Sequence, residues 1–308
     1  MSRLQKSSPR QKKIFFTSLF CLAFILSVAF SAGVIKSKQQ HKKFEGLKKE
    51  ISLLGEKYNF RYAYAIKDLG IFGTRISRFE NEVFPAASII KLPVLASALL
   101  AVSDGHIGLN DKIIIEREDI VGGSGLLKAK KFPYELTFQE LLELMISVSD
   151  NSATNKVIDL LGKDTINKYF KKLGFKDTVL IRAMMDFSKR NRGIENYTSV
   201  EDILVVLEKI YKGELVNRKI SDIALDFLKK QKVNTRIPRY LPSEVEVAHK
   251  TGLERGVVHD AGIVYASKGD YIICVLTKGV GSYTRAKKFI AELSLLTYNL
   301  YRQKETKD

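Results

Sequence analysis

The longest apolar run in the chain lies near its start, where residues 14–35 contain no charged side chain. About 20 apolar residues suffice for a helix to cross a bilayer, so this run predicts a membrane-spanning helix. The Lys and Arg residues before it favour a cytoplasmic tail over residues 1–13. A cleaved signal peptide is the alternative, because Ala29 and Ser31 have cleavage-site spacing, although signal peptides usually have a shorter apolar core.

Helical and strand patterns follow one another after this run. Apolar residues recur every three or four positions over residues 38–58, which predicts a helix. Two short strands are predicted at residues 60–67 and 74–79. A helix is then predicted over residues 88–102, and the pattern of residues 104–200 is mostly helical.

Strand patterns return near the C-terminal end, at residues 245–250, 261–266 and 271–276, before a final helix over residues 283–301. The last two strands are joined through Gly269-Asp270, a link too short for a parallel crossover. The sequence therefore predicts an antiparallel sheet.

Strands, a long helical block and strands again indicate an α/β (α+β) fold. We expect an antiparallel sheet flanked by helices, with an all-helical insertion domain. The domain beyond the apolar run is predicted to span residues 36–308. Its sheet part would comprise residues 45–87 and 240–303, and its helical part residues 88–239.

The formal net charge of +17 is concentrated around the apolar run. Residues 1–50 contain 11 Lys or Arg against two Glu, a net of +9, which leaves +8 for the other 258 residues. Basic residues beside an apolar span are attracted to anionic lipid headgroups, so the charge supports a membrane partner. No basic motif interleaved with aromatic residues is present, so we expect no nucleic-acid partner.

Cysteine and histidine are too sparse for a disulfide framework or a histidine-rich metal centre. The chain has two Cys and four His, without the spacing of a metal-binding helix. We therefore expect neither a metal nor another cofactor. His249 and His259 are predicted to be solvated at strand ends, and Cys274 to be a buried core residue.

Ser88 and Lys91 form the first chemical motif, at the start of a predicted helix. Residues three apart share a helix face, so the Ser88 hydroxyl and the Lys91 amine are expected within hydrogen-bonding distance. Burial among Ile89, Ile90 and Leu92 would lower the pKa of Lys91 and let it take the serine proton. A capping serine followed by an unrelated lysine is the alternative.

Two further motifs follow along the chain. Ser149-Asp150-Asn151 comes after an amphipathic helix predicted over residues 136–147, and it offers either a proton-relay serine with an amide or an ordinary helix cap. Lys250-Thr251-Gly252 ends a predicted strand. There it can present a cation and a hydroxyl to a substrate carboxylate, or it can simply end the strand in a turn.

The order and spacing of the three motifs resemble the S-x-x-K, S-D-N and K-T-G signature of class A β-lactamases and penicillin-binding proteins. The flanking words are similar too, with F-P-A-A-S-x-x-K-L-P-V around the first motif and S-V-S-D-N-S-A-T-N around the second. The resemblance covers residues 45–303 and implies a β-lactamase/transpeptidase-like fold. It also implies that β-lactam amides are opened through an acyl-enzyme on Ser88.

The resemblance implies a role for each motif residue. Ser88 would be the nucleophile, Lys91 its general base or proton relay, and Ser149 the proton donor to the leaving nitrogen. Lys250 and Thr251 would hold the substrate carboxylate, and the backbone N–H groups of Ser88 and Leu253 would form the oxyanion hole. The substrate-binding positions would be Asn151, Thr251, Gly252, Leu253 and, on a glycine-rich loop, Ser124.

The sequence departs from this family in the loop over residues 182–196. The E-x-x-L-N word, which carries the glutamate that removes the acyl group in class A β-lactamases, is absent. Asp186 lies 37 residues after Ser149, near the expected position, and Glu195 is the second candidate. Either carboxylate could instead form a structural ion pair with Arg182.

The leading prediction is a membrane-anchored serine hydrolase of the β-lactamase type. It would be a monomer with its catalytic domain outside the cytoplasm, or secreted if the apolar segment is cleaved. One alternative is a D,D-peptidase that acts on peptidoglycan stem peptides. Another is a non-hydrolytic β-lactam or cell-wall sensor that stays acylated, and the absent E-x-x-L-N word favours both alternatives.

Overall fold

Helix α1, Pro9–Gly55, is the first element of the computed structural model, which describes the backbone of residues 9–302 and the side chains of residues 31 and 33–302. The chain divides after Gly46 into two compact units. Among the described residues, no helix has both the length and the apolar character that a membrane crossing requires. The span predicted over residues 14–35 lies mostly outside the described side chains, so the anchor stays a prediction.

Strands from both ends of the second unit join into one antiparallel sheet. The strands are β1 (Arg61–Asp68), β2 (Arg75–Arg78), β3 (Phe84–Pro85), β4 (Lys112–Ile115), β5 (Tyr134–Thr137), β6 (Tyr197–Thr198), β7 (Val247–Glu254), β8 (Val257–Val264) and β9 (Tyr271–Lys278). Five of them form the main sheet, in the order β2-β1-β9-β8-β7. Every pairing is antiparallel, as the short link between β8 and β9 predicts.

Helices fill the space between and beside these strands. They are α2 (Lys91–Ser103), α3 (Phe138–Ser147), α4 (Asn151–Leu161), α5 (Lys163–Lys172), α6 (Phe187–Asn191), α7 (Val200–Lys212), α8 (Arg218–Lys229) and α9 (Tyr283–Tyr301). α2 lies at the centre, in contact with α3, α4, α5, α7 and α8. Its residues from Lys91 to Ala101 are all buried, because the helix is apolar on nearly every face.

The predicted all-helical insertion is wrong, because two short antiparallel strand pairs involve it. β4 pairs with β5, and β6 pairs with β3. The side chains of β4 are alternately exposed and buried, which is the alternation of a strand. Residues 136–137, predicted to begin a helix, complete β5, and Thr137 then caps α3 in a capping box with Glu140.

The Lys250-Thr251-Gly252 motif lies inside a strand rather than at its end. The strand predicted to end at residue 250 continues to Glu254, because β7 stays paired with β8 through the Glu254–Val257 position. This extension brings the motif alongside the turn that carries Ser88.

Candidate active site

A 3₁₀ turn, Ala87–Ile90, presents Ser88 just before α2. Ile89 and Ile90 are fully buried, whereas Ser88 is partly exposed and lines a cleft of about 260 Å³. Gly252 on β7 allows the turn to approach the sheet, since a Cβ at that position would lie 3.0 Å from Ile89 Cγ1. The glycine of the third motif therefore helps to place the serine of the first.

Lys91 is fully buried at the start of α2. Its Nζ donates to the Ser149 carbonyl oxygen at 2.7 Å and to Asn151 Oδ1 at 2.9 Å, and it lies 3.1 Å from Ser149 Oγ. Burial, and then the charge of Lys250, hold the pKa of Lys91 well below its usual value. The predicted Lys91–Ser88 hydrogen bond is not formed among the described side chains, because the Ser149 segment engages the amine.

Ser149 Oγ lies between two lysines. It is 3.1 Å from Lys91 Nζ and accepts a hydrogen bond from Lys250 Nζ at 3.0 Å. The φ angle of Ser149 is 55°, in the left-handed region that residues with a Cβ seldom adopt. Such backbone strain is typical of functional sites.

Lys250 reaches this hydroxyl from β7 and is fully buried. Its Nζ also donates to the Thr251 carbonyl oxygen at 2.8 Å. Burial, and then the charge of Arg236, lower the pKa of Lys250 to about 7, against the opposing effect of Asp260. Lys250 can therefore gain or lose a proton near neutral pH.

Arg236 is a site residue that the sequence motifs missed. It is 2% exposed, and its Nε and Nη1 have no hydrogen-bond partner among the described residues. It comes directly before a 3₁₀ turn, Ile237–Tyr240, and no spacing in the sequence marks it. Its positive charge adds to that of Lys250, so this end of the site favours anions.

His249 and His259 are buried, which corrects the prediction that they are solvated. His249 Nδ1 lies 2.9 Å from Asp260 Oδ1, and Nε2 lies 3.1 Å from Asn234 Oδ1. His259 Nε2 lies 2.8 Å from the Pro85 carbonyl oxygen, and burial lowers the pKa of His259 to about 4. Both rings lie within paired strands with polar partners, so they stabilise the sheet. Cys274 is a free, buried thiol, as predicted.

The second motif fixes the loop over residues 122–127 at the edge of the cleft. Asp150 Oδ2 accepts hydrogen bonds from two successive backbone N–H groups of this loop, at 2.7 and 2.9 Å. Asn151 N donates to the Ser124 carbonyl oxygen at 3.0 Å, and Asn151 Nδ2 donates to that of Gly122 at 3.1 Å. Ser124 lines the cleft as a result.

The loop over residues 182–196 holds both predicted candidates for deacylation. Asp186 caps α6 by accepting a hydrogen bond from Lys189 N at 3.0 Å, and it is not among the described residues that line the cleft. Glu195 does line the cleft, but Arg182 Nε and Nη2 donate to its two oxygens at 2.8 and 2.9 Å. The ion pair with Arg182 is thus formed by Glu195.

Glu254 is a further carboxylate in the cleft, which the motifs did not indicate. Its Oε1 lies 2.7 Å from Arg182 Nη2 and 3.0 Å from Arg190 Nε. Burial, and then the nearby charge of Glu195, raise the pKa of Glu254. Glu254 lies two residues beyond the third motif, and no local pattern in the sequence marks it.

Apart from Asp186, which is half-buried and does not line the cleft, the predicted site residues fall into two sets. Those that line the cleft are Ser88, Ser124, Asn151 and Leu253. Those that are buried outside its lining are Lys91, Ser149, Lys250, Thr251 and Gly252. Asn151 connects the two sets, since it lines the cleft and its Oδ1 accepts a hydrogen bond from Lys91 Nζ. A partly exposed serine beside two buried amines and a second hydroxyl can support nucleophilic attack with proton transfer.

Comparison with known proteins agrees with a serine hydrolase of the β-lactamase type. The model of a family described as the β-lactamase enzyme family matches residues 46–301, and the chain belongs to this family.

Individual relatives share the fold at modest identity. The β-lactamase VEB-1 of Pseudomonas aeruginosa is 24% identical over 237 residues, which cover 72% of this chain and 79% of that protein. The solved structure of a PBP-A mutant, an acyl-enzyme complex with penicillin G, has a TM-score of 0.76 and 30% identity, covering 83% of this chain and 96% of that one. A β-lactamase from Sphaerobacter thermophilus has a TM-score of 0.75 and 28% identity, covering 82% and 95%.

Proposed function

We propose that this protein opens β-lactam amide bonds through an acyl-enzyme on Ser88. The observation that carries the proposal is the Ser149 hydroxyl shared by Lys91 and Lys250, both with lowered pKa values. Ser88, three residues before Lys91, faces the adjoining cleft. The site therefore pairs an accessible nucleophile with a buried base and a proton relay.

Lys91 acts as the base of the first step. Its pKa is held well below the usual value by burial and by the charge of Lys250, which favours the neutral amine. Its two N–H bonds donate to the Ser149 carbonyl oxygen and to Asn151 Oδ1, which leaves a lone pair for a proton. As Ser88 Oγ bonds to the substrate carbonyl carbon, Lys91 takes the hydroxyl proton.

Ser149 completes the proton transfer. As the amide C–N bond breaks, the leaving nitrogen takes the Ser149 hydroxyl proton, and Ser149 regains a proton from Lys91. The net result is transfer of the Ser88 proton to the nitrogen. The charged form of Lys250, with Arg236 near it, attracts the substrate carboxylate. Backbone N–H groups of Ser88 and Leu253 stabilise the oxyanion, each by about 2.7–4 kcal/mol.

Removal of the acyl group is the slow step in this proposal. Both carboxylates that line the cleft among the described residues, Glu195 and Glu254, are held in ion pairs with arginine, so binding a hydrolytic water would compete with those ion pairs. This observation favours a second candidate function, a penicillin-binding D,D-peptidase that β-lactams acylate and inactivate. A sensor that stays acylated would follow the same acylation chemistry without any removal of the acyl group.

The test mixes the full chain with a chromogenic cephalosporin and follows both absorbance and intact protein mass. Many turnovers per chain support a β-lactamase, whereas one turnover with a lasting mass increase supports the penicillin-binding candidate. Ser88→Ala should abolish both signals, because it removes the attacking oxygen. Wild-type protein that shows neither turnover nor an adduct would refute the acyl-serine proposal.

A further inference from the structure

Four charged side chains form a cluster on the wall of the cleft, namely Arg182, Arg190, Glu195 and Glu254. Arg182 donates to both oxygens of Glu195, and its Nη2 also donates to Glu254 Oε1 at 2.7 Å. Arg190 Nε lies 3.0 Å from the same oxygen of Glu254. The side chains of Arg182 and Glu254 are only 5% and 16% exposed. The two positive and two negative charges of the cluster therefore neutralise each other with little contact with solvent.

Within this cluster, Glu254 connects the loop to the main sheet. The other three belong to the loop over residues 182–196, whereas Glu254 is the last residue of β7. A longer contact, from Arg190 Nη2 to the Arg255 carbonyl oxygen at 3.3 Å, reaches the same strand end. The charged attachment of the loop to β7 therefore runs through Glu254.

We propose that Glu254 is a positioning residue that clamps the 182–196 loop to β7 and sets the width of the cleft beside Ser88. Apolar side chains on both elements line the cleft, with Met185 and Phe187 on the loop and Leu253 on β7. Movement of the loop away from β7 would therefore separate the surfaces that enclose the substrate. The inference rests on the proposed function, because it takes the cleft to be the substrate site.

Charge explains why the clamp depends on Glu254. Without its carboxylate, Arg182 and Arg190 share only Glu195, and guanidinium groups keep their charge at any ordinary pH. Repulsion and hydration of the unbalanced arginines then favour a loop position farther from β7. Substrate binding weakens as a result, while the proton transfers at Lys91 and Ser149 are unaffected.

The experiment compares the full chain with Glu254→Gln and with the double variant Glu254→Gln/Arg190→Gln. Acylation by a chromogenic cephalosporin is followed in the first turnover, over a range of substrate concentrations. For Glu254→Gln we expect half-saturation at about tenfold higher substrate, as for a lost hydrogen bond to a charged group, with a maximal rate within about twofold of wild type. The double variant restores the charge balance and should recover part of the affinity.

A matched control is Glu208→Gln. Glu208 also bridges two cations, Lys67 at 2.6 Å and Lys212 at 2.7 Å, with 19% of its side chain exposed, and it does not line the cleft. An unchanged half-saturation concentration in Glu254→Gln, or the same shift in Glu208→Gln, would overturn the inference. A lower maximal rate at unchanged affinity would also overturn it. Failure of the wild-type chain to become acylated would instead overturn the proposed function.

Discussion

Lys91 and Lys250 converge on the Ser149 hydroxyl, and the pKa of each lysine is lowered. The pKa of Lys91 is held well below its usual value, which favours the neutral amine, whereas Lys250, with a pKa of about 7, is partly charged at pH 7. The first lysine is thereby suited to accept a proton and the second to attract an anion. Burial is the leading cause of both shifts, so the two roles depend on the exclusion of water.

The pH profile of acylation should be bell-shaped at low substrate concentration. The rate rises with pH as Lys91 loses its proton, and it falls as pH increases through about 7, because the free protein then loses the charge on Lys250. In Lys250→Arg the falling limb should move above pH 10, since guanidinium stays protonated. A falling limb that remains near pH 7 in this variant would show that another group causes it.

The sequence motifs identify the residues at the site better than they identify the contacts. Ser88, Ser149 and Lys250 are recognisable because each lies in a short sequence motif. The Ser88–Lys91 hydrogen bond was predicted wrongly, because helical spacing carries no information about Ser149, which is 58 residues from Lys91. Glu254 contacts Arg182 across 72 residues, and no local pattern reports such a contact.

At the scale of elements, Asp150 joins α4 to the 122–127 loop. Its Oδ1 accepts from Ala153 N at the start of α4, and its Oδ2 accepts from two loop N–H groups. One buried carboxylate thereby fixes a helix start and one side of the cleft.

Asp150→Ala should lower the free energy of unfolding by about 3 kcal/mol, from a lost helix cap and unsatisfied backbone N–H groups. Urea denaturation of the variant and the wild type measures the difference. Asp150→Asn keeps one acceptor oxygen and should lose less. Equal stability of all three proteins would contradict this role.

The sequence predicts secondary-structure elements correctly where the hydrophobic pattern is long or where the capping residue is adjacent in the sequence. α9 spans Tyr283–Tyr301 as predicted, and Ser282 caps it. Boundaries were wrong where pairing between distant strands decides them, as in β7, which extends to Glu254 through its partner β8. The short pairs β4–β5 and β3–β6 were missed for the same reason.

At the scale of the whole molecule, the buried lysines link stability to pH. Lys250 has a pKa of about 7 when folded and an ordinary value of 10.5. Between these values the unfolded chain binds more protons, so the free energy of unfolding should rise with pH from about 7 to 10. Lys91 acts in the same direction. Burial raises the pKa of several tyrosines, including Tyr265, and this reverses the trend above about pH 10.

Urea denaturation at a series of pH values from 7 to 10 tests this linkage. The wild-type chain should become more stable across the series, and Lys250→Met should show a smaller slope, because it removes one of the titrating groups. A slope that Lys250→Met leaves unchanged would contradict the assignment.

The burial of Lys250 beside Ser149 has a calorimetric consequence. When a carboxylate ligand binds beside Lys250, its negative charge increases the affinity of that lysine for hydrogen ions. Formation of the complex near neutral pH therefore takes up hydrogen ions from the solution. The heat released on titration will then vary with the ionisation enthalpy of the buffer. Measured in two buffers, that variation counts the hydrogen ions taken up per ligand bound.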